Sequence, residues 1–246
     1  MNLPQLSFSQ SLIDARGRGR VPVIADIKCR SPRHGDLLRG RDPVACAEAL
    51  ACCGAPALSV VTEGARYGGS LALLGRVAAA TGLPVLRKDF IETAGDLART
   101  RDAGARAILL MVSVLDNATL EMLFAKAIEI GLEPLVETHT EPEMAVARRL
   151  GASLIGINNR DITRWECDDG AVQTTEQLVR HAPAGVTLVS ESGIATPADA
   201  RAAIRAGCTA VLIGTALLQA PDLREAYTAF AGVAFGSNTD TERNKG

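Results

Sequence analysis

Charged and amide side chains directly follow short apolar runs at several points along the sequence. A charge at the end of a buried strand is unfavourable unless it meets a partner, so several that converge from different strands indicate a site rather than packing. Lysine can donate a proton and a carboxylate can accept one, which points to acid–base chemistry on a small molecule. The residues concerned are Asp26, Lys28, Glu63, Lys88, Glu137, Asn158, Arg160 and Glu191.

Two further apolar runs end in small residues instead of charges. Ser192 and Gly193 end one run, and Gly214 and Thr215 end the next. Backbone amides and hydroxyls at neighbouring strand ends can bind a phosphate group, especially where a helix begins beside them. The two pairs together predict a phosphate site.

Repeated phrases indicate which elements position these residues. A glycine followed within a few residues by an apolar run recurs about every 25 residues along most of the chain. We expect each glycine to end a helix in the left-handed conformation, just before the next strand. With the apolar run that begins at Val21, the repeats predict eight strands. The glycines are Gly54, Gly82, Gly104, Gly131, Gly151, Gly185 and Gly207.

Apolar strands that alternate with amphipathic segments are typical of a parallel sheet buried on both faces. Eight such units in 246 residues predict an α/β fold, a single (βα)8 TIM barrel whose site lies at the carboxyl ends of its strands. An open doubly wound sheet stays as the alternative, although no G-x-G-x-x-G motif follows any strand.

Helix-start signals and the chain ends complete the predicted organisation. We predict one barrel domain over residues 1–235, in which 1–20 is a lead-in segment, and a disordered tail at 236–246. The loop from Lys28 to Arg39, rich in Ser, Pro, Arg and Gly, predicts a mobile lid. Polar residues before proline or an acidic first turn predict helix starts at Asp42-Pro43, Asp116, Glu141-Pro142 and Thr196-Pro197.

Composition limits the class of partner. The formal net charge is −2, without the basic excess that nucleic acid or an anionic membrane would require, so we expect neither as a partner. No apolar run approaches the roughly 18 residues that span a bilayer. We expect a cytoplasmic protein with a phosphorylated small-molecule substrate, as a monomer or weak homodimer that could dock a partner enzyme.

Cysteine, histidine and tryptophan residues give weaker signals. The six cysteines lack C-x-x-C spacing and follow no leader peptide, so they predict reduced thiols, with Cys52 and Cys53 buried. The three histidines share no metal-ligand spacing, so no metal site is expected. Trp165, the single tryptophan, is interpreted as a packing residue.

Six phrases of the sequence resemble the strand motifs of the indole-3-glycerol-phosphate synthase family. They occur in the family's order between about residues 7 and 230, and LRKDFI and INNRD are specific to it. The phosphate-site phrase is shared more widely with other phosphosugar barrels. The phrases are IADIKCRSP at 24–32, LSVVTE at 58–63, PVLRKDFI at 84–91, EPLVE at 133–137, IGINNRD at 155–161 and SESGI at 190–194.

The resemblance implies a cofactor-free carboxy-lyase of tryptophan biosynthesis. Such an enzyme closes the indole ring of 1-(2-carboxyphenylamino)-1-deoxyribulose 5-phosphate with loss of CO2 and water. Lys88 matches the family's proton donor for ring closure, and Lys28 matches the acid for loss of the hydroxyl, with Asp26 as its partner and base. Glu137 matches a carboxylate that polarises the substrate amine and the lysines. We expect burial and nearby cations to lower the pKa of Lys88 towards neutrality.

The remaining matches imply substrate contacts. Glu63 and Glu191 resemble residues that position Lys88 and the substrate, and Asn158 resembles a hydroxyl ligand. Arg160 and Ser31 are expected to hold the anthranilate carboxylate, because a guanidinium fork matches that group. Phe90, Leu110 and Pro32 are expected to wall an apolar slot for the benzene ring.

The chain also departs from the family pattern. Asp26 stands where the family usually has Glu, a difference of one methylene that moves the carboxylate by about 1 Å. The lead-in segment is a truncated form of the family's N-terminal extension. Two alternative functions stay open: a phosphosugar lyase that forms a Schiff base at Lys88 or Lys28, and a non-catalytic paralogue that binds a phosphorylated metabolite.

Overall fold

A computed structural model describes residues 7–160 and 172–232 of the chain. Eight strands close into a barrel in which every neighbouring pair is parallel. The predicted (βα)8 barrel is therefore confirmed, and the open sheet is excluded. Trp165, Cys167 and the predicted tail at 236–246 lie outside the described residues. The barrel strands are β1 (Val23–Ile27), β4 (Leu58–Val61), β5 (Val85–Lys88), β6 (Ala107–Met111), β7 (Glu133–Thr138), β8 (Leu154–Asn158), β9 (Thr187–Glu191) and β10 (Ala210–Ile213).

Helices follow the strands and form the outer layer. Side chains predicted as N-caps accept backbone hydrogen bonds at Asp42, Asp116 and Thr196, so these helix starts agree with the prediction. No helix among residues 7–160 and 172–232 is long and apolar enough to cross a membrane. The helices are α1 (Phe8–Gly17), α2 (Pro43–Cys52), α3 (Leu71–Thr81), α4 (Ala94–Asp102), α5 (Asn117–Glu129), α6 (Glu141–Arg149), α7 (Gln173–Leu178), α8 (Pro197–Ala206), α9 (Thr215–Leu218) and α10 (Leu223–Phe230).

The glycines of the repeat adopt the conformation that the sequence predicts. All seven have positive φ, and Gly82, for example, ends α3 with φ 64°. Six of them follow the last turn of a helix, where glycine allows the chain to leave the helix and enter the next strand, because L side chains rarely adopt this conformation. Gly185 instead lies in a turn beyond the 3-10 helix Val179–His181, so the prediction that it ends a helix was wrong.

Alternate residues of each strand face the barrel interior, and the others face the helices. Inside the barrel, residues such as Ile24, Leu86 and Leu135 form one buried apolar cluster. The two other clusters lie between the strands and the helices. This alternation decides which side chains at a strand end can reach the site.

Helix α1 closes the amino-terminal end of the barrel, whereas the charged residues lie at the carboxyl ends of the strands. Its Phe8 and Leu12 are fully buried in the interior cluster. Glu133, the first residue of β7, accepts hydrogen bonds from Ser7 and Ser9 and from the backbone N–H of Phe8. Within the lead-in segment, Phe8–Gly17 is therefore a packed helix that covers the amino-terminal end of the barrel.

The loop after β1 contains a short antiparallel hairpin, β2 (Arg30–Ser31) and β3 (Gly35–Asp36). The mobility predicted for this loop stays a prediction.

One expectation about the cysteines differs from the structure. Cys52 is exposed and Cys53 half-buried, so the prediction that both are buried was wrong. The pair ends α2, and the last turn of a helix turns part of its surface outward even when the preceding residues are apolar.

Candidate active site

A cavity of about 480 Å³ lies at the carboxyl ends of the barrel strands. This volume falls within the usual range for small-molecule sites. Most of the residues predicted for the site line it, because parallel strands direct their carboxyl ends to one face of a barrel. These lining residues are Asp26, Lys28, Glu63, Lys88, Phe90, Asn158, Arg160, Ser192, Gly193, Gly214 and Thr215.

Lys88, at the end of β5, lies between two buried carboxylates. Its Nζ is 3.6 Å from Oε2 of Glu137 and 3.7 Å from Oε2 of Glu191. The side chains of Glu137 and Glu191 are 3% and 1% exposed, whereas that of Lys88 is 23% exposed. The two glutamates therefore lie beneath the cavity, and Lys88 is the member of the group that opens into it.

Burial and neighbouring charges shift the pKa values of Lys88 and Glu191. Burial alone would lower the pKa of Lys88, but the attraction of Glu137, Glu191 and Asp26 outweighs burial and raises it above its ordinary value. The expected lowering of the pKa of Lys88 was wrong, because the nearest charges are carboxylates rather than cations. Burial raises the pKa of Glu191 well above its ordinary range, and repulsion from Glu137 and Asp26 adds to this effect.

Glycine in the middle of β8 makes room for one of these carboxylates. A Cβ atom at Gly156 would overlap Oε1 of Glu191 and lie 3.2 Å from its Cδ. Glu191 is on the neighbouring strand β9, and the pairing of β8 with β9 brings the two residues together. Any larger residue at position 156 would displace the carboxylate that contacts Lys88.

Asp26 lines the cavity from β1 and is held in place. Its Oδ1 accepts a hydrogen bond of 2.6 Å from the Ser59 hydroxyl, on the neighbouring strand β4. A Cβ atom at Gly214 would lie 3.0 Å from Oδ2 of Asp26, so the backbone of β10 approaches it closely from the other side. The aspartate therefore has little freedom to move.

Lys28 follows β1 and lies beside an aromatic ring. Its Nζ is 5.7 Å from the centroid of the Tyr67 ring, within the range of a cation–π contact. Glu63, predicted to position Lys88 and the substrate, accepts hydrogen bonds from the backbone N–H groups of Ala65, Arg66 and Tyr67. It thus organises the loop that carries Tyr67 towards Lys28.

The small residues of β9 and β10 meet at one corner of the cavity. Ser192 has φ 61°, an uncommon conformation for a residue other than glycine, and Gly193 has φ 66°. The Asn159 side-chain amide donates to the backbone oxygens of Glu191 and Ser192, at 2.9 and 3.1 Å, and holds this turn. Because β9 pairs with β10, the turn lies beside Gly214, where α9 begins.

The apolar wall differs from the prediction at one residue. Phe90 lines the cavity, but Leu110 is buried in the cluster between the barrel and the helices. The prediction for Leu110 was wrong because alternate residues of a strand face opposite sides. Its neighbours Leu109 and Met111 line the cavity instead.

Ser31 and Asn158 hold local structure around the cavity. Ser31 is buried in the hairpin, where its hydroxyl accepts a hydrogen bond from the backbone N–H of His34, and it is not among the cavity-lining residues. Asn158 lines the cavity, and its Oδ1 accepts a hydrogen bond of 3.0 Å from the backbone N–H of Arg160.

Comparison with known proteins identifies the family. The family model described as indole-3-glycerol phosphate synthase matches residues 1–230. The chain belongs to the indole-3-glycerol phosphate synthase family. The indole-3-glycerol phosphate synthase of Pyrococcus furiosus is 44% identical over 210 residues, which are 85% of this chain and 91% of that one. The protein of the same name from Thermococcus kodakarensis is 45% identical over 204 residues, 82% of this chain and 88% of that one.

Solved structures with little sequence identity share the fold. Orotidine 5'-phosphate decarboxylase from Pyrococcus horikoshii has a TM-score of 0.64 at 16% identity. The match covers 86% of this chain and 100% of the decarboxylase chain. Thiamine phosphate pyrophosphorylase from Pyrococcus furiosus has a TM-score of 0.61 at 14% identity, and the match covers 87% of this chain and 95% of the pyrophosphorylase chain. At such identities the likeness concerns the barrel alone.

The sequence of this indole-3-glycerol phosphate synthase family member did not indicate several of the residues that line the cavity. Strand alternation places Leu109 and Met111 on the face opposite Leu110, but β6 is apolar on both faces, so the pattern does not show which face lines the cavity. Tyr67 lies in a loop, where no periodicity shows which way a side chain points. The other unpredicted cavity residues include Arg33, His34 and Gln219.

Proposed function

We propose that this chain is a carboxy-lyase that converts 1-(2-carboxyphenylamino)-1-deoxyribulose 5-phosphate to indole-3-glycerol phosphate, CO2 and water. Its membership of the family supports this reaction. The observation that carries the proposal is Lys88, a lysine held between two buried glutamates that opens into a cavity with a candidate phosphate corner. This arrangement suits proton donation to a bound ketose phosphate.

The cavity offers a binding site for each end of this substrate. The phosphate accepts hydrogen bonds at the corner formed by Ser192–Gly193 and Gly214–Thr215. The benzene ring lies against Phe90, and its carboxylate faces the guanidinium of Arg160. The ketone carbon is then left near the middle of the cavity, where Lys88 opens into it.

Ring closure is the first chemical step. The ring carbon that bears the carboxylate attacks the ketone carbon, and the ketone oxygen takes a proton from Lys88. The bond to the carboxylate then breaks, CO2 leaves, and the electron pair restores the aromatic ring. Glu137 and Glu191 keep Lys88 protonated before this step, because they raise its pKa.

Loss of water completes the indole. The new hydroxyl leaves with a proton from Lys28, and the nitrogen lone pair assists its departure. Asp26 then takes a proton from the adjacent carbon, which forms the second double bond of the five-membered ring. Both residues line the same cavity, so one bound intermediate can reach each of them.

A Schiff-base mechanism is less compatible with this environment. A lysine must lose its proton to attack a carbonyl group, and the carboxylates around Lys88 favour the protonated form. A purely binding role gives no reason to bury three carboxylates, Asp26, Glu137 and Glu191, around one lysine, because burial of a carboxylate is unfavourable unless it is paired.

The test is an activity assay with the substrate named above. Indole fluorescence should rise with the wild-type protein, and Lys88→Met should lower kcat by about 1,000-fold, within the usual range for a general acid. Lys126→Met is the matched control, because Lys126 lies on the surface of α5. Among the ion pairs of residues 7–160 and 172–232, it pairs only with the exposed Glu129. Its activity should equal that of the wild type.

Two outcomes would contradict the proposal. One is a folded wild-type protein that binds the substrate and releases no indole product, which would indicate a binding role. The other is a stable adduct at Lys88 after borohydride treatment with substrate present, which would indicate a Schiff-base lyase.

A further inference from the structure

A buried histidine lies directly behind the carboxylate that contacts Lys88. His139 follows the end of β7, and its side chain is 6% exposed. Its Nε2 is 3.6 Å from Oε1 of Glu137, the oxygen on the other side of the carboxylate from Lys88. His139 is not among the residues that line the cavity, so it acts on a substrate only through Glu137.

The other side of the imidazole faces a second carboxylate. Nδ1 of His139 is 3.3 Å from Oε2 of Glu143, and the same oxygen accepts the backbone N–H of His139 at 2.7 Å. Glu143 lies in the first turn of α6, where the hydroxyl of Thr140 caps the helix. The ring thus lies between two carboxylates, with Glu143 at hydrogen-bond distance and Glu137 at ion-pair distance, an environment that suits the positively charged imidazolium.

Three carboxylates around His139 favour its protonated form. Glu137 faces it from β7, Glu143 from α6 and Glu191 from β9. Burial alone would lower the pKa of His139, but the hydrogen bond to Glu143 and the charges of these glutamates raise it above its ordinary value. The geometry and the charges therefore agree on an imidazolium beside Glu137.

The two carboxylates beside Lys88 consequently differ. Glu137 has a cationic partner on each side, Lys88 at Oε2 and His139 at Oε1. Among the ion pairs of residues 7–160 and 172–232, Glu191 pairs with Lys88 alone. Among these ion pairs, Glu137 is therefore the carboxylate that cations hold at both oxygens.

We propose that His139 is a positioning residue that holds the Glu137 carboxylate from the side opposite Lys88 and keeps it directed at Lys88. The inference rests on the proposed function, because it assigns Glu137 a part in that reaction. His139 lies outside the cavity and, through Glu137, affects the pH range over which the site is active.

The pH dependence of kcat tests this role. His139→Gln removes a positive charge 3.6 Å from Oε1 of Glu137, and removal of a charge this close to an acidic group changes a pH profile by about one pH unit or more. We expect His139→Gln to move the acid limb of the kcat profile up by about one pH unit, with KM changed less than about twofold.

A second histidine provides the matched control. His181 also pairs with a glutamate, with Nδ1 3.3 Å from Oε1 of Glu141, but Glu141 is exposed. We expect His181→Gln to leave the profile unchanged. An acid limb that stays in place in His139→Gln, or an equal loss of kcat at every pH, would overturn the proposal, because a purely structural role has those effects.

A spectroscopic measurement covers the case in which His139→Gln fails to fold. Imidazole NMR of the wild type should show that His139 loses its proton above the usual pH for histidine. Glu137→Gln should lower its pKa by about one unit. An unchanged titration in Glu137→Gln would overturn the inference. Because this measurement needs no substrate, it can succeed even if the wild type forms no indole, an outcome that would contradict only the proposed function.

Discussion

Gly156→Ala tests whether the position of one carboxylate controls the reaction. The new methyl group would overlap Oε1 of Glu191 and lie 3.2 Å from Cδ. Because non-bonded heavy atoms prefer separations of about 3.5–4.0 Å, the carboxylate must move by about 1 Å. Glu191 is fully buried, so it has no open solvent into which to turn, and the movement changes its contact with Lys88.

A displacement of about 1 Å within a catalytic group can lower the rate by about 100-fold. We therefore expect Gly156→Ala to lower kcat for indole formation by about that factor, while KM changes little, because neither Gly156 nor Glu191 lines the cavity. The control is Gly75→Ala in α3, where the new methyl group would meet Ala103 O at an ordinary 3.5 Å. Wild-type kcat in Gly156→Ala would refute the assignment of Glu191 as a positioning group for Lys88.

Two further substitutions separate chemistry from stability. Asp26→Asn preserves an acceptor for the Ser59 hydroxyl but removes a negative charge near Lys88, so kcat should fall by about 100-fold with unchanged thermal stability. A variant with full activity would exclude Asp26 as the base. Glu133→Gln weakens the hydrogen bonds that hold α1, so urea unfolding should show a loss of about 2 kcal/mol while kcat at 25 °C is retained. An unchanged free energy of unfolding would show that α1 is held by its apolar contacts alone.

The barrel was predictable because each of its units repeats the same local signals. A glycine that ends a helix, an apolar strand and a capped helix start each depend on a few neighbouring residues, and all seven repeat glycines have the expected positive φ. Once the strands are placed, a closed parallel barrel brings their carboxyl ends together. That is why residues as far apart as Asp26 and Thr215 could be assigned to one cavity.

The errors arose where the outcome depends on packing between distant segments. Leu110 belongs to a strand whose apolar residues face both sides, so composition does not distinguish the inward face from the outward one. Helix α1 has a weak pattern of its own, and its position under the barrel depends on Glu133, more than 100 residues away. Contacts of this kind leave no local signature in the sequence.

The pKa of Lys88 was misjudged for a related reason, and the correction changes the chemistry. A lysine with a lowered pKa would release its proton readily but would be partly deprotonated before the substrate arrives. With Glu137 and Glu191 beside it, Lys88 is instead fully protonated at neutral pH. It remains a competent donor, because the ketone oxygen becomes an alkoxide as the ring closes, and an alkoxide binds a proton more strongly than an amine does. The carboxylates thus keep the proton on Lys88 until attack on the ketone creates a stronger base.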